Sequence, residues 1–331
     1  MESRTDLLPG VILLFAGVLA LLLPPPPSSL PTAAASLRTD LLAAASPRTP
    51  PAIVLFGDSV DSNMVKDWCR RRAPNLSLCF DKAVWNLPLP SDNCTGYQEQ
   101  LDALVGPWSM HAAFMSCLPN AAAPIDSPAL VSIYNLWGTL NRRPNGFSPA
   151  PPAEMTLRDI WAPSFALIPH LLGRRPPTAL LVQSLFWDLL AEQNFNKDYL
   201  SLANESFPLL LSEWVERYGK SAGALLDITA GLSRDCSWPL ELHVWRTANE
   251  VSSEASSGWQ RGANAIIRRA NDAATKAAAL RNITVFRALE GVVPLRDVHH
   301  PSEPVSVAAM DSLIAEVLRR GLRRGRGATF R

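Results

Sequence analysis

The feature that most constrains this chain is a series of short, largely apolar runs that do not alternate with polar residues. "AIVLF" (52–56), "ALVSIYNLW" (129–137), "TALLVQSLFW" (178–187), "LELHVWRT" (240–247) and "ITVFRAL" (283–289) each read as a strand. A strand with one wet face alternates, whereas an uninterrupted apolar run needs cover on both faces. Between and after them, "SNMVKDWCRRR" (62–72), "GANAIIRRANDAATKAAALRN" (262–282) and "VSVAAMDSLIAEVLRRG" (305–321) read as helices. Buried strands that alternate with helices predict an α/β fold, a three-layer α/β/α sandwich around a central parallel sheet. An apolar content of 47% against 18% charged residues supplies the core such a sandwich needs and excludes wholesale disorder. The ten tryptophans read mainly as core residues, with glycan stacking by a few as the alternative.

The ends of the chain read differently. "LLPGVILLFAGVLALLL", Leu7 to Leu23, is free of charge and is followed at once by four prolines. Its length suits a signal anchor or a signal peptide, so residues 1–23 are expected to be a membrane-directing helix. Residues 24–50, rich in Pro, Ala and Ser, read as a linker, 51–320 as the folded domain, and the basic 321–331 as a disordered tail. Four glycosylation sequons, starting at Asn75, Asn93, Asn204 and Asn282, agree with export into the secretory pathway, as a type II membrane protein or an extracellular one. Four of the five cysteines fall between Cys69 and Cys117, a spacing that suggests disulfides in the first third; the odd number leaves one thiol over. A net charge of +1 gives no general attraction to nucleic acid. No P-loop, GxGxxG or zinc-ligand spacing occurs, so no cofactor or metal is expected.

The first strand runs into Gly57-Asp58-Ser59. Two readings are open there: Asp58 and Ser59 cap the next helix, or Ser59 is a nucleophile at the mouth of the sheet. A serine hydroxyl needs a base, most often an imidazole whose tautomer is held by a carboxylate. Of the five histidines, His299 and His300 sit in "RDVHHPS" between the last strand and the last helix, with Asp297 three residues before His300. His300 is the better-spaced base and His299 the alternative. His111, His170 and His243 read as surface or core residues.

Gly57-Asp58-Ser59 paired with Asp297-x-x-His300-Pro301 resembles the SGNH (GDSL) hydrolase superfamily. "FGDSVDSNMV", "SLFWDLL" and "LHVWRTAN" resemble, more narrowly, a membrane-anchored eukaryotic group of fungal and algal SGNH-like proteins, near the glycan O-acyl esterases and acetyltransferases. The resemblance implies Ser59 as nucleophile, His300 as general base and Asp297 as its orienting acid. It implies Gly138 as a backbone oxyanion donor, and it hints that Arg246 binds a substrate oxygen. Where the superfamily carries Gly-x-Asn-Asp, this chain has Leu185, Trp187 and Asp188, so the indole of Trp187 would replace the asparagine amide, with Asp188 and Asn135 as substitutes. The expected function is removal of O-acyl, foremost O-acetyl, groups from a polysaccharide or glycoprotein glycan. Transfer of the acyl group to a sugar and an inactive glycan-binding domain are the alternatives.

Overall fold

In a computed structural model, the residues described are 50–72, 76–80, 114–119, 127–134, 156–172, 175–186, 188–189, 208–252, 263–292, 296–297 and 299–328. The expected anchor and nearly all of the linker lie outside them. Among the described residues, no helix is long and apolar enough to cross a membrane.

The elements, in chain order, are β1 (Ala52–Gly57), α1 (Ser59–Arg72), β2 (Leu76–Phe80), β3 (Phe114–Pro119), β4 (Ala129–Tyr134) and α2 (Leu157–Leu171). There follow β5 (Ala179–Val182), α3 (Pro208–Asp235), β6 (Leu242–Arg246), α4 (Ala263–Ala279), β7 (Thr284–Phe286) and α5 (Glu303–Ala328). The seven strands form one sheet in the order β2-β3-β4-β1-β5-β6-β7. β4, β1, β5, β6 and β7 pair in parallel, while β3 runs antiparallel to both β2 and β4. The expected α/β sandwich is therefore present, with a mostly parallel sheet and an added antiparallel edge.

Every residue of β1 is buried, as a central strand with two covered faces requires. Phe56 packs its ring edge-on against Trp161 of α2 at 5.2 Å, and the next residue, Gly57, faces Asp61 of α1. Successive residues of a strand point to opposite faces, so α1 and α2 cover opposite sides. α5 packs on α1, while α3 packs on both α2 and α4. The face of α2 holds an aromatic layer in which Phe165 stacks on Trp238 at 4.9 Å. All five tryptophans among the described residues are buried, which places them in the core. Each side chain of the size of Phe56 contributes roughly 1.5–3 kcal/mol on burial.

α1 is tied to its neighbours in several places. A disulfide joins Cys69 to Cys117 of β3. The Ser62 and Ser132 hydroxyls share a hydrogen bond of 2.8 Å, and the Trp68 indole N–H donates to Asp311 of α5 at 2.9 Å. The thiol of Cys236 is free; the side chains of Cys79 and Cys94 lie outside the described residues.

Several boundaries differ from the sequence reading. β5 stops at Val182, short of the expected end, and apolar residues such as Leu185 and Phe186 are buried in the segment after the strand; for β4, residues 135–137 of the expected run lie outside the described residues. α5 continues to Ala328, into the stretch read as a disordered tail. Arginine propagates helix well, and positive charge suits a helix C-terminus. α4 ends in a Schellman turn: Ile283 N–H donates to Ala278 O, Asn282 N–H donates to Ala279 O, and Asn282 takes a φ of 55°.

The chain leaves β1 towards β4 on one side and later returns to β5 on the other. The sheet thus has its switch point between β1 and β5, where open α/β sheets bind ligands at the carboxyl ends of their strands. Ser59 stands at that edge.

Candidate active site

Asp58 is the N-cap of α1. Its carbonyl accepts from Ser62 N–H at 3.2 Å, and its Oδ1 accepts from Val60 N–H at 2.8 Å. Asp61 reaches back so that its Oδ2 accepts the Asp58 N–H at 3.0 Å. Two acids three residues apart thereby close a capping box in which each satisfies a backbone donor near the other. Gly57 makes room for it: a Cβ there would come within 1.8 Å of Asp61 Oδ2. Capping thus falls to Asp58 and Asp61, and the Ser59 hydroxyl is left for another partner.

That partner comes from the opposite end of the chain. In the loop between β7 and α5, Asp297 Oδ1 accepts the backbone N–H groups of His299 at 3.0 Å and His300 at 2.9 Å. Its Oδ2 lies 2.8 Å from His300 Nδ1. On the far side of the ring, His300 Nε2 lies 2.6 Å from Ser59 Oγ. With Nδ1 protonated and donating to Asp297, Nε2 is left as an acceptor for the serine O–H. A hydroxyl, an imidazole and a carboxylate are joined in one hydrogen-bonded chain.

The loop is fastened from outside as well. Arg296 pairs with Asp67 of α1 and donates to Asn63 Oδ1 at 3.3 Å, while its N–H donates to His300 O at 2.5 Å. Beyond β6, the buried Asn249 donates its amide to His299 O at 2.7 Å. The His299 ring lies 3.9 Å from the His300 ring, and Phe186 meets it edge-on at 6.0 Å.

Burial raises the Asp297 pKa, but the His299 N–H, the His300 ring and the His300 N–H outweigh it and hold the acid at about 2. Burial and the His300 charge push His299 down to about 4, against the pull of Asp297, so His299 is neutral around pH 7. Burial, opposed by Arg246 and reinforced by Asp61, raises Asp58 to about 7. Asp297, His299 and His300 place ligand atoms within 4.8 Å of one another, the spacing a cation would need. Both His300 nitrogens are already engaged, by Asp297 and Ser59.

The other expected residues fare differently. Asn135, Gly138 and Trp187 lie outside the described residues. Asp188 is fully buried, and its charge, after burial itself, helps to keep Tyr218 protonated. Arg246 departs from the expectation of a substrate contact. It is 0% exposed, and its Nε and Nη2 grip both oxygens of Asp61 at 2.6 and 2.9 Å. Nη2 also donates to Asp58 Oδ1 at 3.3 Å, and Nη1 donates to Thr247 O at 3.2 Å. The sequence reading missed Asp61, Asn249 and Arg296. Asp61 was signalled by its place three residues after the cap, whereas Asn249 and Arg296 carry no local signal.

Fold and site together define an α/β protein with a Ser–His–Asp chain at the switch point of its sheet. No family model matches the chain, and no curated protein does. Among solved structures, a carbohydrate acetylesterase from Sinorhizobium meliloti aligns over 81% of this chain and 98% of its own, at 13% identity and a TM-score of 0.39. An alpha/beta hydrolase enzyme from the metagenome of Lake Arreo, Spain, aligns over 80% and 95%, at 15% identity and a TM-score of 0.36.

Proposed function

We propose that this protein is a serine ester hydrolase that removes O-acyl, foremost O-acetyl, groups from glycans in the secretory pathway or at the cell surface. The observation that carries the reading is the unbroken chain from Ser59 Oγ through His300 to Asp297. Ser59 Oγ attacks the ester carbonyl carbon while His300 Nε2 takes its proton, and Asp297 steadies the imidazolium that forms. The carbonyl oxygen becomes an oxyanion. Ser59 lies in the first turn of α1, where backbone N–H groups lack helical acceptors and the helix dipole favours negative charge, so its own N–H is the donor for that oxyanion. His300 returns the proton to the departing sugar oxygen, and the acyl group stays on Ser59. A water molecule then repeats the cycle and releases the acid.

The glycan comes from the resemblance of "SLFWDLL" and "LHVWRTAN" to an SGNH-like group that lies near the glycan O-acyl esterases and acetyltransferases. The lumenal location is supported by the Cys69–Cys117 bond, which persists in oxidising compartments, and by an exposed sequon asparagine, Asn282. On this reading residues 7–23 supply the membrane attachment, and no nucleic acid takes part.

One experiment tests both halves. The full chain is expressed in a eukaryotic host, treated with an endoglycosidase and exposed to a fluorophosphonate, and activity is followed on p-nitrophenyl acetate and acetylated glycans. The expected result is a glycosidase-sensitive protein labelled at Ser59, with label and acetate release lost in Ser59→Ala. Equal hydrolysis by wild type and Ser59→Ala would overturn the enzymatic reading, and accumulation of acylated glycan from a donor would replace hydrolysis with transfer.

A further inference from the structure

Arg246 lies at the end of β6 with no exposure, and its side chain is directed at the start of α1. The strand register explains how it gets there. β5 pairs Val182 with Trp245, and β1 pairs Phe56 with Val182, so Gly57, Gln183 and Arg246 form one row across the carboxyl edge of the sheet. Gly57 leaves space above that row, Asp61 drops into it, and the guanidinium meets both Asp61 oxygens from below. The same group also reaches Asp58. The two acids bracket Ser59, one before it and one two residues after it.

A single buried cation therefore serves two buried carboxyls at the base of the candidate nucleophile. Without it, two carboxyls would share a dry site, where like charges repel and an unpaired charge is strongly penalised. The capping box would open or draw in a proton, and the Ser59 N–H and hydroxyl would lose their fixed direction. An oxyanion forming at that N–H would also face uncompensated negative charge. A surface arginine offers none of this, and a substrate-binding arginine would need an exposed face.

We propose that Arg246 is a positioning residue for Ser59: it holds Asp58 and Asp61 in the capping box and offsets the negative charge of this pair beneath the oxyanion. The inference rests on the acyl-transfer reading of the site. It assigns Arg246 no contact with substrate.

The test compares wild type with Arg246→Met, Arg246→Lys and the double variant Asp61→Asn with Arg246→Met. The readouts are the rate of fluorophosphonate labelling, kcat and KM on p-nitrophenyl acetate, and thermal unfolding. Arg246→Met should slow labelling and kcat by roughly 100-fold, the scale of a lost oxyanion donor. KM should stay within about twofold, because only transition-state interactions are lost. The double variant removes the excess acid charge while the new amide still accepts the Asp58 N–H, so it should recover roughly tenfold over Arg246→Met. Arg246→Lys should fall between, since an ammonium cannot make the forked contact.

A rise in KM alone would make Arg246 a substrate contact and overturn the proposal. So would wild-type labelling of folded Arg246→Met, or a double variant no faster than the single. If none of the three variants folds, Arg246 serves folding alone and the proposal also falls. Failure of the acyl-transfer reading looks different: wild type itself would then take no label at Ser59.

Discussion

The two halves of the candidate site are held in opposite ways. Ser59 stands on buried ions: Asp61 and Arg246 are 0% exposed and Asp58 2%, and their bonds link β6 to the first turn of α1. His300 stands on a loop whose acid is itself in contact with water, the Asp297 side chain being 49% exposed. There the order is local, with one carboxylate accepting two backbone N–H groups and the ring it serves. Buried ionic contacts give a rigid footing that tolerates no partial removal. Local hydrogen bonds give a footing that answers to pH and to single substitutions without collapse of the domain.

The sharpest probe of the loop half is Asp297→Asn. An amide oxygen still accepts backbone N–H groups, but the negative charge and the tautomer control are gone. The expected result is a fall in kcat of about 10³–10⁴-fold on an acyl ester with a small change in melting temperature. The same variant carries a pH signature. The Asp297 pKa is depressed from 3.8 to about 2, so its charge contributes stability above the unfolded value and loses it as pH falls through the folded one. The difference in thermal stability between wild type and variant should be present at pH 5 and vanish as pH approaches about 2. A difference that persists there would mean the loop is not held by that charge.

Removing the disulfide, with serine at both Cys69 and Cys117, probes the other half. The bond closes a separation of 48 residues, for which loop-closure entropy predicts about 4 kcal/mol. Denaturant unfolding should show a loss of about 2–4 kcal/mol, with kcat of the folded protein close to wild type. The reason is position: Cys69 lies near the far end of α1, and Ser59 is held by its own ion cluster. A collapse of kcat in the folded fraction would show that the helix, and not the ions, holds the nucleophile.

The smallest effect is expected from Asn249→Ala. It removes the amide that fastens His299 O from the segment after β6, and should lower stability by about 1–2 kcal/mol as a buried hydrogen bond is lost. The local bonds of Asp297 remain, so kcat should fall by roughly tenfold or less at unchanged KM. An effect as large as that of Asp297→Asn would erase the distinction between local and distant support.

Much of this could be read along the chain because the signals are local. Non-alternating apolar runs need two covered faces, and that requirement alone leads to a mostly parallel sheet. The Asp–x–x–His spacing lets one loop present acid and base together, and a glycine, an acid and a serine after the first strand mark a helix start at the sheet edge. The antiparallel β2–β3 edge, the long α3 and the true end of β5 were not legible, since burial continues past a strand when the following segment packs against the core. Nor was the role of Arg246. Its partner Asp61 lies 185 residues away. Only the register of β1, β5 and β6 brings the two together, and in a buried site the nearest opposite charge decides what an arginine does. Which residues can do chemistry was written in sequence; which of them face a ligand and which sit beneath it was decided by the way the strands lie side by side.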